Sequence, residues 1–355
     1  MVVVEPHSKV LVTGANGYLA TWILRTLLEQ GYGVKGAVRS ASKGNYLKSL
    51  FEKYGDAFSY VIVDDMAKVA SMLRFRVVEG AFDEHVKDVG AVIHSAARAT
   101  SHAKSLDELT AVNVSGTLAV LNSVLQHGPN VRRFVYTSTT GTVVDEPGKT
   151  LTEETIKWNN WVVDQARNNP SPPGIFYYLA SKVIAEQAAW GWITNHKAEM
   201  KFDFVSLIVP WIIGPQIQEV RSRSDLTEAI SILQAGLDNE WPAEQRYSHF
   251  SNWADARDIA LAHVRAMEKE EAAGERFLIS SGAFSLQDIY DALHSVKDSP
   301  LKDVPHGDPK GERGPLCIHD AGKAKRILGI SFRPLAPSLT EALVDHQEKL
   351  KKLPV

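Results

Sequence analysis

The hydrophobic period changes within the first forty residues. Residues 9–13 form an unbroken aliphatic and β-branched run. After a glycine-containing turn, apolar residues recur at 19, 23 and 27 and at 20, 24 and 28, the spacing of one helical face. Gly31 and Gly33 end that helix and residues 34–38 read as the next strand, completing one βαβ unit. Further apolar runs at 60–63, 91–94, 134–137, 202–209 and 277–279 alternate with helical stretches at 106–126, 178–195 and 255–269. Strands apolar on both faces and separated by amphipathic helices predict an α/β fold, a Rossmann-type doubly wound parallel sheet covered by helices. From Trp211 to about Phe250 the pattern breaks into Pro-, Arg-, Ser- and Trp-containing segments, and beyond about residue 283 it is helical with Pro/Gly-rich connections. The expected division is a sheet domain of residues 1–209 and 251–282, with a smaller discontinuous lobe of residues 210–250 and 283–355.

Composition narrows this picture. The 355 residues are 44% hydrophobic and 23% charged, the balance of a globular chain able to bury a core. With 39 basic against 42 acidic side chains the net charge is −3, which offers no footprint for nucleic acid or an anionic membrane. Cys317 is the only cysteine, so neither an intramolecular disulfide nor a Cys-rich zinc site is expected, and the reading assigns no metal. The start, MVVVEPHSKVLV, has an acid and a proline where a signal peptide needs a basic head and an unbroken apolar run. No apolar stretch is expected to reach the ~20 residues of a membrane span. A cytoplasmic protein, monomeric or homodimeric, follows as the expectation.

The loop after the first strand reads Thr13-Gly14-Ala15-Asn16-Gly17-Tyr18-Leu19-Ala20 and opens a helix. Glycines there let the backbone turn tightly and approach a pyrophosphate, whose charge faces the free N–H groups of the helix start. The βαβ context is what makes this a dinucleotide site rather than a turn. At the end of the second strand an acid would bind ribose hydroxyls, whereas a base would accept a 2′-phosphate. The residues are Arg39 and, four later, Lys43, with no carboxylate between them, which favours NADP(H), the cofactor expected to bind the sheet domain.

Two further segments carry candidate chemistry. Tyr178 and Lys182 stand four apart, hence on one helical face, and a cation near a phenol favours its ionised form. Such a pair suits general acid catalysis on a carbonyl. Upstream, Thr137-Ser138-Thr139-Thr140 ends an apolar strand with four hydroxyls, at the carboxyl edge where α/β sheets bind ligands. Trp211, Ile212, Phe250 and Trp253 are candidates for the wall of a substrate pocket, or else for core.

Taken together, TGANGYLA (13–20), AVRSASK (37–43), HSAA (94–97), RFVYTSTTGTV (133–143), YYLASK (177–182), VPWIIGP (209–215), WADARDIALAH (253–263) and KAKRILG (323–329) resemble the extended short-chain dehydrogenase/reductase superfamily. The resemblance covers nearly the whole chain. It points to the branch holding fungal aldehyde and carbonyl reductases, methylglyoxal reductase and plant dihydroflavonol reductase, and Ala20 in place of a third glycine leans to the fungal side. It implies an NADPH-dependent aldehyde or ketone reductase acting on a small-molecule carbonyl. Hydride would pass from the nicotinamide, Tyr178 would donate the proton, and Lys182 would hold the ribose and lower the phenol's pKa. Tyr177 lacks the spacing to Lys182. The register of the family's catalytic serine falls on Thr139, with Ser138 as the fallback. The resemblance further implies adenine contacts from Asp65 and Met66, phosphate contacts from Ala96 and Ala97, and nicotinamide contacts from Pro210 and Ile212. Val209 stands where the family often has Asn. Residues 69–78 look like an insert, either an ordered extension beside the adenine edge or a tolerated surface insertion. Two rival functions stay open: a nucleotide-sugar epimerase or dehydratase of the same superfamily, with Arg221, Arg223 and Arg246 reading a diphosphate, and a non-catalytic NADP(H)-binding sensor.

Overall fold

The computed structural model describes residues 2–63, 80–100, 102–239 and 241–353. In chain order the elements are β1 (Lys9–Thr13), α1 (Tyr18–Glu29), β2 (Gly33–Val38), α2 (Ala41–Leu50), β3 (Phe58–Ile62), β4 (Ala91–His94), α3 (Leu106–His127), β5 (Arg133–Thr139), β6 (Thr150–Leu151), α4 (Asn160–Asn168), α5 (Gly174–His196), β7 (Asp203–Val209), β8 (Trp211–Ile213), α6 (Glu228–Asn239), α7 (Ala243–Arg246), β9 (His249–Asp255), α8 (Ala256–Glu268), β10 (Arg276–Leu278), β11 (Gly282–Ser285), α9 (Leu286–His294), β12 (Ile318–His319), α10 (Gly322–Leu328) and α11 (Leu335–Lys352). Two compact units result: Met1–Val144 with Ile156–Ile208 and His263–Arg276, and Asp145–Thr155 with Val209–Ala262 and Phe277–Val355.

A seven-stranded sheet runs in the order β10-β7-β5-β4-β1-β2-β3; its strands lie in the first unit except for Val209 at the end of β7 and for β10, of which only the first residue, Arg276, does. β1 pairs in parallel with both β2 and β4, β2 with β3, and β4 with β5. Winding runs outward through β2 and β3 on one side and through β4 and β5 on the other, so its direction reverses between β1 and β4. Ligands enter such sheets at that reversal, beyond the strands' carboxyl ends. Leu11, Val92, Val120, Leu121, Phe134 and Phe204 form one buried cluster, and Leu106, Val162, Ala180 and Val183 another. α3 and α5 run against each other.

The strands and helices expected in this unit are present, with ends displaced by a few residues. α3 departs from one expectation: its 22 residues are long and apolar enough to cross a bilayer by length and composition alone. Here Leu109, Val120, Leu121 and Val124 are buried inside the unit. α2 and α4 were not anticipated. α2 buries only Gly44 and Leu47, so it has no apolar stripe to read, and its start is set by Ser40, whose hydroxyl accepts from the Lys43 N–H.

The second unit holds a three-stranded sheet, β11-β9-β8, and a two-stranded one, β12-β6. β8 runs parallel to β9 and β11 antiparallel to it. The stretch 211–250, patternless in the sequence, contains β8, α6, α7 and the start of β9. Its core gathers Ile213, Ile230, Leu233, Trp253, Phe284, Ile289, Leu339 and Leu343.

Candidate active site

β1 delivers Thr13 to the winding reversal. Its hydroxyl lies 2.8 Å from His94 Nδ1 and accepts from the Ala96 N–H at 3.1 Å. Because Thr117 is itself committed as a donor, the ring carries its proton on Nε2, 3.1 Å from the Thr117 hydroxyl, and Nδ1 accepts from Thr13. Thr117 passes its proton to the Asn113 carbonyl at 2.7 Å. Burial, with Lys182 adding to it, holds His94 down to about 3, so the ring is neutral and the chain of donors has one direction.

Gly14 follows at φ +66°, and a Cβ built there would stand 2.8 Å from Ala96 Cα. Only glycine fits so close to a neighbouring backbone in that conformation. Gly17 is the N-cap of α1 and supplies no side-chain cap, which leaves the N–H groups of the first turn to an outside acceptor. Asn16 and Tyr18 are half-buried and Leu19 is buried. A cradle that a Cβ would fill, facing an uncapped helix start, fits a dinucleotide pyrophosphate. Ala96 is half-buried and Ala97 exposed beside it. Arg39 is exposed just past β2, and Lys43 is half-buried in the first turn of α2; both also make contacts within the chain. Asp65, Met66 and the stretch 69–78 lie outside the described residues.

α5 carries Tyr178 and Lys182 one turn apart. Lys182 is buried, and its ammonium donates to the Thr137 carbonyl at 2.9 Å and to the Tyr136 hydroxyl at 3.1 Å. Burial lowers it to about 8, with Glu186 pulling the other way. Tyr178 is half-buried, and burial pushes its phenol up to about 12. The expected depression of the phenol by the cation is not what this geometry gives: the ammonium's hydrogen bonds go to β5. Tyr136, which sequence reasoning passed over as a strand residue, is its partner, and burial raises that phenol far out of range too.

The hydroxyls at the end of β5 have different neighbours. Thr137 Oγ1 lies 2.9 Å from His263 Nε2. Ser138 is buried and donates to Glu186, with Thr142 Oγ1 3.4 Å away. Thr139 is half-buried and accepts from the Gly141 N–H at 3.3 Å, so its own proton stays available. Asn113 was also passed over. Its side-chain Oδ1 accepts from the Arg98 N–H at 2.9 Å, and its side-chain amide nitrogen donates to Ser181 at 2.9 Å, whose hydroxyl donates to the Tyr178 carbonyl at 2.7 Å. The available signal was a polar residue among the apolar positions of α3, four before Thr117.

In the second unit Pro210 is buried and Ile212 half-buried. Trp211 and Phe250 place their ring centroids 4.9 Å apart, and Phe250 lies 5.4 Å from Phe284. Trp253 sits opposite Trp211 on β9, 4% exposed and within the core cluster.

The model of the NAD dependent epimerase/dehydratase family matches residues 10–280. A ketoreductase of Aspergillus niger is 31% identical, over 96% of this chain and 98% of that protein. The NADPH-dependent methylglyoxal reductase of Saccharomyces cerevisiae is 29% identical, over 94% of this chain and 96% of its own length. The crystal structure of Gre2 from Candida albicans in complex with NADPH superposes with a TM-score of 0.80 at 26% identity, covering 96% of this chain and 99% of that one. With its reversed parallel sheet, glycine cradle and Tyr-Lys helix, the chain belongs to the NAD dependent epimerase/dehydratase family, among the extended short-chain dehydrogenases/reductases.

Proposed function

We propose that this chain reduces a small aldehyde or ketone to the alcohol with NADPH. The observation that carries the reading is the gathering, in one unit and around the end of one sheet, of the Gly14 cradle, the hydroxyl end of β5 and the Tyr178/Lys182 face of α5. The relatives named above as a ketoreductase and an NADPH-dependent reductase support the same reaction class.

NADPH, when bound, supplies the hydride. Thr13, Gly14, Asn16, Gly17, Tyr18 and Leu19, with Ala96 and Ala97, hold its pyrophosphate, and Arg39 and Lys43 the 2′-phosphate. Asp65 and Met66 meet the adenine, and Pro210 and Ile212 the nicotinamide. Tyr178 is the general acid. A phenol held near 12 is fully protonated at neutral pH and so is charged with the proton the carbonyl oxygen needs. Thr139 donates a hydrogen bond to that oxygen, since the Ser138 hydroxyl is committed to Glu186. Lys182 supplies the positive charge against which the phenolate forms, and with the Thr137 carbonyl it lines the ribose side. Trp211 and Phe250 form the apolar wall for the substrate, with Trp253 behind them. On this reading residues 1–209 with 251–282 bind cofactor and the remainder binds substrate. The protein acts in the cytoplasm as a monomer or homodimer on a small molecule, without nucleic acid.

The test is the loss of nicotinamide absorbance with NADPH, and separately NADH, against methylglyoxal, a β-keto ester, an aromatic aldehyde and a dihydroflavonol. Turnover of at least one carbonyl, preferring NADPH, is expected, with Tyr178→Phe lowering kcat by about 10²-fold or more at unchanged NADPH affinity. Tight NADPH binding without consumption against any of the four overturns the reading and favours an epimerase, which shows no net redox change, or a sensor.

A further inference from the structure

Tyr178, Lys182 and Glu186 follow one another at four-residue steps along α5. The first two belong to the proposed chemistry; the third has no part in it yet is fully buried. Its carboxylate collects four donors from four elements. Oε1 accepts from Ser206 Oγ on β7 at 2.7 Å, from Arg276 Nε on β10 at 2.9 Å and from Trp190 Nε1 on α5 at 3.4 Å. Oε2 accepts from Ser138 on β5. Burial would raise this carboxyl, but the Arg276 charge and these hydrogen bonds keep it below its ordinary value and ionised.

Burying a carboxylate with its partner is a poor way to gain stability, because desolvation of both ions consumes most of the attraction. Arg276 itself is stacked over Trp158, 4.1 Å from the ring centroid, and is held in place on that side as well. A glutamine of the same shape could still accept from one of Ser206 and Ser138 and donate its amide N–H to the hydroxyl of the other. What it could not supply is a negative charge one turn from the Lys182 ammonium.

We infer that Glu186 is a positioning residue of the reductase: it pins Ser138, and so the strand segment that presents Thr139, and it sets a buried negative charge one helical turn from Lys182. The inference rests on the proposed reductase reading for its catalytic consequence. The titratable groups facing Lys182 are Tyr136 from β5, His94 from β4, and Tyr178 and Glu186 from α5. Burial keeps His94 neutral and both phenols protonated through pH 9, so Glu186 is the only one of the four that carries charge there. Arg276 stands behind it and partly offsets its field.

The experiment compares wild type, Glu186→Gln, Glu186→Asp and the double variant Glu186→Gln/Arg276→Met, in which no unpaired charge is left buried. Two readouts are taken. The pH dependence of kcat/KM reports the alkaline limb. Independently of turnover, the 13C-dimethyl-lysine resonance of Lys182, assigned by its loss in Lys182→Met, reports the amine's titration in cofactor-free protein. Both should move to lower pH by at least half a unit in Glu186→Gln and in the double variant, and recover in part in Glu186→Asp. In Glu186→Gln kcat should fall roughly tenfold with the KM for NADPH within about twofold of wild type, a fraction of what general acid catalysis provides. A double variant that regains the wild-type Tm yet keeps the displaced limb separates positioning from folding. Coincident titrations in wild type and the double variant would overturn the inference. So would activity lost only in proportion to Tm. A wild type that consumes no NADPH with any carbonyl refutes the function reading instead, and the resonance still decides the role of Glu186.

Discussion

Replacing Gly14 by alanine puts a methyl group where the backbone of Ala96 already lies. The new Cβ would stand 2.8 Å from Ala96 Cα, 3.1 Å from its nitrogen and 3.2 Å from its Cβ, at a φ of +66°. Two penalties add. A side-chain-bearing residue in the left-handed region costs about 1–2 kcal/mol. The overlap is with main chain rather than the end of a flexible side chain, so its relief moves the segment after β4, a disturbance of about 1–3 kcal/mol. The total of about 2–5 kcal/mol is divided between stability and affinity, because a loop that backs away from Ala96 also backs away from the pyrophosphate. If only the lower bound of about 2 kcal/mol falls on binding, NADPH is weakened roughly 30-fold. Gly274→Ala is the control: φ there is +74° with nothing within 4 Å of the added methyl, so it carries the conformational penalty alone. Fluorescence titration with NADPH and a Tm without cofactor measure the two shares. Gly14→Ala should raise Kd tenfold or more, while Gly274→Ala should lower Tm by a few degrees and leave Kd untouched. Equal Kd values for wild type and Gly14→Ala, or equal losses for both variants, would refute the cradle.

Arg39→Glu should weaken NADPH by about tenfold more than NADH in parallel titrations, since it replaces a phosphate fork by a repelling charge; an equal effect on both removes the 2′-phosphate assignment. Thr139→Ala should cut kcat by roughly 10²-fold with Tm nearly unchanged, whereas Ser138→Ala should chiefly lower Tm because it strips a donor from buried Glu186; the reverse pattern would return the catalytic hydroxyl to Ser138. Lys182 titrates near 8 in the folded chain against an ordinary 10.5, so between those pH values the unfolded chain holds a proton the folded one has released. Its contribution to stability therefore rises with pH across that window, while the reductase rate falls as pH climbs through about 8. A urea-denaturation series in which Lys182→Met rises as steeply as wild type would contradict the assignment.

The parts legible in the sequence are those whose logic is local. One βαβ unit carries the strand, the turn glycines and the helix start within thirty residues, so the cradle could be read before any contact was known. The Tyr178–Lys182 spacing is equally local, and the helix is there. Which way the ammonium points is not local: Lys182 reaches Tyr136 and the Thr137 carbonyl, 46 and 45 residues back along the chain. The Glu186 cluster draws on β5, β7 and β10 at once and has no signature in any window. α2 was invisible for another reason, since its start is fixed by the Ser40 cap rather than by an apolar face. The second unit's sheet escaped notice because β8 and β11 are three and four residues long and acquire their meaning only by pairing with β9.

The outermost strand of the large sheet has a consequence for the birth of the protein. β7 ends at Val209, but its outer neighbour begins only at Arg276. At ~5–20 residues per second a ribosome needs several seconds to cover that interval. Throughout it, the edge of a strand containing Phe204, Val205, Leu207 and Ile208 has no partner, while most of the residues being threaded out, Val209–Ala262, belong to the other unit. An unpaired apolar edge of this kind invites pairing with another nascent copy. Translation that stalls before Arg276 would thus leave a sticky intermediate, and the yield of active protein should depend on how well chaperones shield that edge until the last strand arrives.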